Sequence, residues 1–448
     1  MDLQGSHLHF MGIGGIGVSA LAEIALAQGA IVSGCDREES AATCDLCKKG
    51  IEVLIGHDPS HVLGQALLVY SSAIPESHPE RLAAGEKQEP RGAFLARLMG
   101  KYAGVGISGT HGKTTTSWFL SHLLIQSGED PFVFIGGMVP ALEHGNYRLG
   151  EGRFIAELDE SDESFLLPKL NVAIATNLES DHMSHYQDFD SLKRAFRRFA
   201  DGVAENGLFI AGIDCEELAT IYKEHKGRKL SFGLRDGACV QATDIIANAT
   251  ESTFDLCYHG NNLGNFTLPL PGKHNILNAL AALGAALELG AGIDNLRLAL
   301  PSVCGVGRRL ELLGSINGAK VYSDYAHHPT EVAATIEAVR QAIPGRLLVA
   351  FQPHLYSRTR DYGDEFGTAL AAADAVLLTD IYPAREEPIP GVTANLIAEP
   401  AKKANPNITG PMPLEDTASV VKEMAGDFDA IIMMGAGNID KIAREMVG

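Results

Sequence analysis

Apolar residues along this chain of 448 recur in two rhythms: short runs closed by turn residues, and longer stretches at helical spacing. His7 to Met11 reads as a strand, Gly12 to Gly17 as a tight turn, Val18 to Gln28 as a helix and Ala30 to Gly34 as a second strand. Together they make a βαβ unit. Ala66 to Tyr70 is an apolar run ending in Ser71 and Ser72, the pattern of a buried parallel strand that meets its ligand-side loop. Lys87 to Arg91, KQEPR, is polar and carries a proline, so it reads as a linker that closes a first domain near residue 90. A helix-like pattern follows over Ala93 to Met99.

The alternation then restarts with a strand over Ala103 to Ser108 and a helix over Thr114 to Gln126. Arg153 to Glu157 and Asn171 to Thr176 are further strands, Asn206 to Phe266 breaks into short runs that suit strands, and Asn275 to Leu289 returns to helix. From Arg308 a third pattern sets strands at Lys320 to Ser323, Leu347 to Gln352, Ala375 to Thr379 and Ala430 to Met434, with helices between. The expectation is an α/β protein of three domains: 1–90, 91–306 and 307–448.

Composition narrows the class. With 46% hydrophobic and 21% charged residues, little of the chain is left for disorder. A formal net charge of -20 opposes non-specific binding to nucleic acid, and phosphorylated ligands then need dedicated basic pockets. The seven cysteines are odd in number and scattered, and the CxxC of Cys44 and Cys47 has no second ligand pair, so free thiols in a reducing compartment are expected. The start of the chain lacks a basic segment followed by an apolar one, and the apolar stretch 276–293 includes Asn278 and Glu288. A cytoplasmic protein without membrane insertion is the expectation.

Two glycine loops carry the chemistry. Gly12, Gly14 and Gly17 match GxGxxG between a strand and a helix, with Asp36 at the end of the next strand. Bare backbone there lets N–H groups approach a diphosphate, and the helix N-terminus adds partial positive charge. The motif suits NAD or a UDP-sugar equally, so the first domain is expected to be Rossmann-like. Gly109, Thr110, His111, Gly112, Lys113, Thr114 and Thr115 form GTHGKTT, again between strand and helix. The general phosphate loop has glycine where this chain has Ile107, but the Gly-Lys-Thr core is intact. Lys113 is expected to reach the β- and γ-phosphates of ATP, and the Thr114 hydroxyl to bind Mg²⁺.

Acidic residues follow at the same sheet edge. ELDESD, Glu157 to Asp162, begins at a strand end, with Glu157 the best candidate Mg²⁺ ligand and Asp159, Glu160 and Asp162 equally readable as a solvated loop. Asn177, Asp181 and His182 lie after the next strand, where His182 suits a metal or a phosphate.

With TNLESDH, LPLPGKHNILNA, DYAHHPTE and FQPHLYSRTRD following in order, the sequence resembles the Mur ligases of bacterial peptidoglycan synthesis over nearly its whole length. The resemblance implies a first domain that binds UDP-N-acetylmuramate through Gly12, Gly14, Gly15, Ile16, Gly17, Asp36, Ser71 and Ser72. It implies a central P-loop-type domain for ATP and a Rossmann-like third domain that closes over both. Lys113, Thr114, Glu157 and His182 are then the phosphate and metal residues, supported by Asn177. His274, Asn275 and Asn278 match the stretch that meets adenine, and Arg309 and Asp324 match residues that reach ATP. His327, Arg358 and Arg360 match positions around the amino acid and sugar-acid carboxylates.

Departures are Ser323, Gly307 and Leu355, where aspartate, a basic residue and arginine are common in the family. Relatives that extend the peptide further carry a modified lysine where this chain has Ala195 and Phe196. Its absence favours the branch that joins L-alanine to the sugar acid, with the tripeptide-recycling branch as the nearest alternative. An NAD-dependent oxidoreductase is the rival from another class.

Overall fold

The computed structural model of the chain describes residues 3–62, 66–248, 250–384 and 386–448, apart from the side chain of Ser184. By contact, the chain groups into two compact units. One holds Met1–Gln241, Cys257–Asn261 and Asn278–Ala299, and the other Ala242–Leu256, Asn262–Leu277 and Leu300–Gly448.

The first sheet contains β1 (His7–Met11), β2 (Ile31–Asp36), β3 (Glu52–Ile55), β4 (Leu67–Tyr70) and β5 (Gln88–Pro90), all parallel in the order β3-β2-β1-β4-β5. The order reverses between β1 and β4, which opens a crevice at their C-terminal ends. Helices α1 (Ile16–Ala27), α2 (Ala41–Lys48), α3 (Pro79–Ala84) and α4 (Arg91–Met99) complete this part. The KQEPR segment is therefore no linker. Its central residues form β5, which pairs with β4, and Arg91 opens α4. The sequence hides this because a three-residue edge strand carries no periodic signal, and a proline is tolerated there. Phe94 of α4 is fully buried and meets Phe10 of β1 edge to face at 5.5 Å, which ties the helix to the first sheet's core.

The second sheet of this unit runs through β6 (Gly104–Ser108), β7 (Phe132–Phe134), β8 (Tyr147–Arg148), β9 (Phe154–Glu157), β10 (Leu170–Ala175), β11 (Val203–Gly212) and β12 (Arg228–Gly233). Its order is β12-β11-β10-β6-β9-β7-β8, parallel except for β8. Strand β6 is buried at every residue, as expected of a central strand covered on both faces. Helices α5 (Lys113–Gln126), α6 (Met183–Tyr186), α7 (Phe189–Asp201) and α8 (Glu216–Glu224) lie in this region. Within the stretch read as strands, α8 is a helix: Leu218, Ala219 and Ile221 are its buried residues, and a one-face stripe this short is hard to separate from a strand by period alone.

Strands β13 (Val240–Ala247), β14 (Ser252–Tyr258) and β15 (Asn261–Leu268) follow, then α9 (Lys273–Glu288) and α10 (Ile293–Ala299). In the second unit β16 (Glu311–Ile316), β17 (Ala319–Asp324), β18 (Leu347–Phe351), β19 (Ala375–Thr379), β20 (Ile408–Met412) and β21 (Ala430–Met434) form a sheet of order β16-β17-β21-β18-β19-β20. Only β16 is antiparallel. Helices α11 (Pro329–Ala342) and α12 (Tyr356–Leu370) are two of those that pack on it. The protein thus has three sheet-bearing domains of α/β type, as the alternation of runs implied. No helix among the described residues is long and apolar enough to cross a membrane.

Candidate active site

Strand β6 delivers the chain into GTHGKTT, and α5 begins at Lys113. Gly109 and Gly112 take φ of 138° and 81°, conformations that a side chain disfavours. Packing excludes a side chain as well: a methyl at Gly109 would lie 2.1 Å from Thr176 Oγ1, and one at Gly112 would lie 2.3 Å from Asn278 Oδ1. The end of β10 then pins the loop. His111 N–H donates to Asn177 Oδ1 at 2.8 Å, while Asn177 Nδ2 and Thr176 Oγ1 donate to the His111 carbonyl at 2.9 and 2.6 Å. Thr110 Oγ1 accepts from the Glu179 N–H at 2.9 Å. The first turn of α5 has no side-chain cap and no acid, so its N–H groups form the kind of positive end that takes a phosphate.

Lys113 places its ammonium 2.6 Å from the Gly109 carbonyl and 2.8 Å from Glu160 Oε1. Burial opposes its charge, but Glu160, Asp159 and Glu157 outweigh that and raise its pKa above the ordinary lysine value. Glu160 is only 1% exposed, so it is not a solvated loop residue but the hub of the site. Ser108 Oγ donates to its Oε2 at 3.3 Å, His182 Nε2 lies 3.4 Å from its Oε1, and the Tyr186 hydroxyl donates to its carbonyl.

His182, the N-cap residue of α6, holds a left-handed φ of 59° and makes no side-chain capping hydrogen bond. Burial pulls its pKa down, but Glu160 and Asp181 raise it above the usual histidine value. Glu157, at the end of β9, accepts from the Gly136 N–H at 2.8 Å. Burial pushes its carboxyl above the usual range against the pull of Lys113, Gly136 and the Thr114 hydroxyl. Asp159 pairs with Arg91 at 3.2 Å, and Lys113 and Arg91 overcome burial to hold its pKa below the usual carboxylate value.

The structure therefore gathers Lys113, Thr114, Glu157, His182 and Asn177 as the sequence proposed, and adds Glu160 and Arg91. Nothing in the spacing of ELDESD distinguishes Glu160 from its acidic neighbours, and Arg91 was hidden in the supposed linker. Asn278 lies against Gly112 and accepts from Thr116 Oγ1 at 3.3 Å, so it supports the phosphate loop's backbone. The modified-lysine position of longer-peptide ligases is occupied by Ala195 and Phe196, both buried in α7, and Lys193 is paired with Asp190 at 2.6 Å.

At the first glycine loop, Gly12 and Ile13 N–H groups donate to the Cys35 carbonyl at 2.9 and 3.1 Å. Ile16 and Gly17 are already the first turn of α1, so the turn is shorter than the sequence suggested. Gly15 precedes that helix in extended conformation, without a side-chain cap. Asp36 Oδ2 accepts from the Gly14 N–H at 2.8 Å, so this acid braces the loop. Ser71 and Ser72 follow β4 at the crevice edge and are partly exposed and exposed.

In the second unit, Asp324 is 4% exposed and its oxygens accept from the Leu310 and Ala326 N–H groups, each at 2.8 Å, and from Thr335 Oγ1 at 3.3 Å. Burial raises its pKa. In this structure it braces the backbone around Leu310 and Ala326. Arg309 lies 3.4 Å from Glu331 Oε1, and its neighbour Arg308 caps the carbonyls of Gly435 and Gly437 at 2.6 and 3.1 Å.

His327 Nδ1 is 2.9 Å from the Tyr325 carbonyl, and its backbone N–H donates to Glu331 Oε2 at 3.0 Å. Arg358 is buried with Nη1 3.3 Å from His354 Nδ1, whereas Arg360 is exposed and paired with Asp361 at 2.7 Å. Two residues apart on α12, the arginines point to different faces and form no joint clamp. His274 stays neutral with a pKa lowered to about 4, by burial first and then by Arg309, and Asn275 donates to the Pro271 carbonyl at 2.7 Å. Of the departures, Ser323 donates to Asp440 at 2.6 Å, and Leu355 has a φ of 72° at the start of α12.

The geometry has counterparts among known proteins. The chain matches the Mur ligase family, catalytic domain over residues 7–103, the Mur ligase middle domain over 107–286 and the Mur ligase, glutamate ligase domain over 308–437. It belongs to the Mur ligase family. Among similar Mur ligases, the UDP-N-acetylmuramate--L-alanine ligase of Xanthomonas campestris pv. campestris (strain B100) is 39% identical over 98% of this chain and 94% of its own length. The protein of the same name from Carboxydothermus hydrogenoformans is 38% identical over 98% and 96%. Among solved Mur ligases, the UDP-N-acetylmuramate-alanine ligase of Thermotoga maritima superposes with a TM-score of 0.84 at 27% identity, covering 98% of each chain.

Proposed function

We propose that this Mur ligase joins L-alanine to the carboxylate of UDP-N-acetylmuramate at the expense of ATP, in the cytoplasm, as a step of peptidoglycan precursor synthesis. The observation that carries the choice of substrates is the likeness to alanine ligases along the whole length of the chain, all three sheets included. Domain limits at 90 and 306 assign the sugar nucleotide to the first glycine loop and its neighbours through Ser72, ATP to the middle part, and the amino acid to the surroundings of His327 and Arg358.

A carboxylate is a poor acceptor for an amine because its oxygen is a poor leaving group. Transfer of the γ-phosphoryl group to a carboxylate oxygen releases ADP and leaves an acyl phosphate. The alanine nitrogen then attacks that carbonyl, expels phosphate and loses a proton. Such chemistry asks the protein for position and charge neutralisation, and for no nucleophilic side chain.

The donor set fits Mg²⁺: Thr114 supplies a hydroxyl and Glu157, half-buried at the end of β9, a carboxylate. His182, set against Glu160, is the third candidate. A bound Mg²⁺ supplies neutralisation of phosphate charge. Lys113, released from Glu160, would meet the transferring phosphoryl group, and Asn177 and Thr176 keep the loop in shape around it.

The test is phosphate release from ATP with UDP-N-acetylmuramate, screened across alanine, glycine and serine. Alanine should give the highest kcat/KM, and the Lys113→Ala variant should be folded and inactive. Turnover with the sugar acid and a tripeptide instead would assign the recycling branch, and full activity of Lys113→Ala would remove the phosphate-loop role.

A further inference from the structure

Behind the first glycine loop, at the C-terminal end of the first sheet, lies a set of groups to which the proposed reaction assigns no role. Cys35 near the end of β2, His57 after β3 and Glu80 on α3 converge there, and Cys35 is shared with a second group made with His9 and His61. Cys35 Sγ lies 3.4 Å from His57 Nδ1 and 3.2 Å from Glu80 Oε2, and His57 Nδ1 lies 3.1 Å from that same oxygen. The second Glu80 oxygen is 2.9 Å from His61 Nδ1. Glu80 is 0% exposed and Cys35 likewise, so this is not a solvated surface group.

A ring nitrogen of His9 comes within 4.8 Å of the ligand atoms of Cys35 and His61. His9 is 1% exposed, its Nδ1 is taken by Ser33 Oγ at 2.9 Å, and its Nε2 is buried with no hydrogen-bond partner. An imidazole fixed through one nitrogen, with the other left open in the interior, is how proteins orient a metal-binding histidine.

We propose that Cys35, His57 and Glu80 bind a thiophilic divalent ion of the zinc class, with His61 fixing the second Glu80 oxygen and His9 as the adjoining imidazole. Ligand atoms of a tetrahedral zinc site, at about 2.0 to 2.3 Å from the ion, stand about 3.3 to 3.7 Å apart. The Cys35, His57 and Glu80 triangle, with edges of 3.1 to 3.4 Å, needs only a slight expansion to reach that. One thiolate with an imidazole and a carboxylate selects zinc or cobalt over magnesium, which prefers oxygen alone.

On binding, the Cys35 thiol proton leaves to solvent and the sulfur-metal bond replaces the hydrogen bond to Glu80. The ion joins β2, the segment after β3 and α3. Because the Cys35 carbonyl also holds Gly12 and Ile13, it braces the first glycine loop from behind.

The test is titration of the chelator-stripped full chain with Co²⁺, without nucleotide, in a background carrying Cys44→Ser and Cys47→Ser to remove the exposed CxxC. One equivalent should bind with a thiolate-to-cobalt charge-transfer band and tetrahedral visible bands, be displaced by Zn²⁺, and protect Cys35 from alkylation. Cys35→Ser should abolish the charge-transfer band, and His61→Asn should weaken binding by about 100-fold. Glu157→Gln should leave the band intact, which separates this site from the phosphate loop. Absence of the band, its survival in Cys35→Ser, or alkylation of Cys35 undiminished by Zn²⁺ would overturn the assignment. Should Cys35→Ser fail to fold, the alkylation and His61→Asn results decide.

Discussion

The Glu160 carboxyl lies where almost no water reaches it, and the two basic groups that face it are Lys113 and His182. A histidine whose pKa is raised in the folded protein adds stability that is complete below the unfolded value of about 6.5 and is lost as pH climbs through the folded value. His182→Asn should therefore cost most in acid and progressively less as pH rises through neutrality, measured as urea-unfolding free energy against pH; a cost independent of pH would contradict the pairing. Glu160→Gln should lower the His182 pKa in an NMR titration of the ring. The phosphate-loop residues were legible from the sequence because Gly-Lys-Thr between a strand and a helix has a fixed mechanical meaning. Glu160 was not, because one of four acids in a loop becomes special only when a turn folds it inward onto Ser108 and Tyr186. The bracing role of Asp324 was not legible for the converse reason: an acid at a strand end looks like a ligand contact, and only the fold shows backbone N–H groups on both its oxygens.

Elements were read best where their period was long and worst where they were short. Strand β6 and helix α5 stood within a residue of their expected limits, whereas β5, three residues with a proline, was taken for a linker. The consequence is testable in α4, which the linker reading detached from the first sheet. Phe94→Ala should destabilise the chain by about 3 to 5 kcal/mol, read from chemical denaturation, since it empties a fully buried aromatic site. A loss under 1 kcal/mol would mean that α4 does not share that core. In the phosphate loop, Gly112→Ala combines a disfavoured φ with a clash on Asn278. Its cost should be about 1 to 3 kcal/mol, with ADP binding lost in calorimetry. Pairing it with Asn278→Ala should recover only the part due to the clash, and complete recovery would show that φ carries no penalty.

For the molecule as a whole, a single tryptophan offers a local reporter. Trp118 is buried on α5, in the same unit as both glycine loops. Unfolding followed by its fluorescence should report that unit, and ADP at about 100 times its Kd should stabilise the observed transition by about 2.7 kcal/mol. No shift with ADP would place the nucleotide elsewhere. Within this unit Tyr147 donates to Glu23 at 2.8 Å and Asn146 to the Ile16 carbonyl at 3.0 Å, so the edge of the middle sheet is fastened to α1.

Arg91 spans the same seam. A methyl on Gly17 would lie 2.9 Å from its Nη1, while its Nη2 holds Asp159. The two anion cradles thus draw on one planar cation. An anion settling beside Gly17 would compete with Asp159 for that guanidinium, and the acid so uncovered would make the neighbouring cradle more receptive to a divalent ion. With the sugar nucleotide and ATP placed as proposed, coupling between them would need no moving lid, only this shared counter-charge, and Arg91→Met should make each bind as though the other were absent.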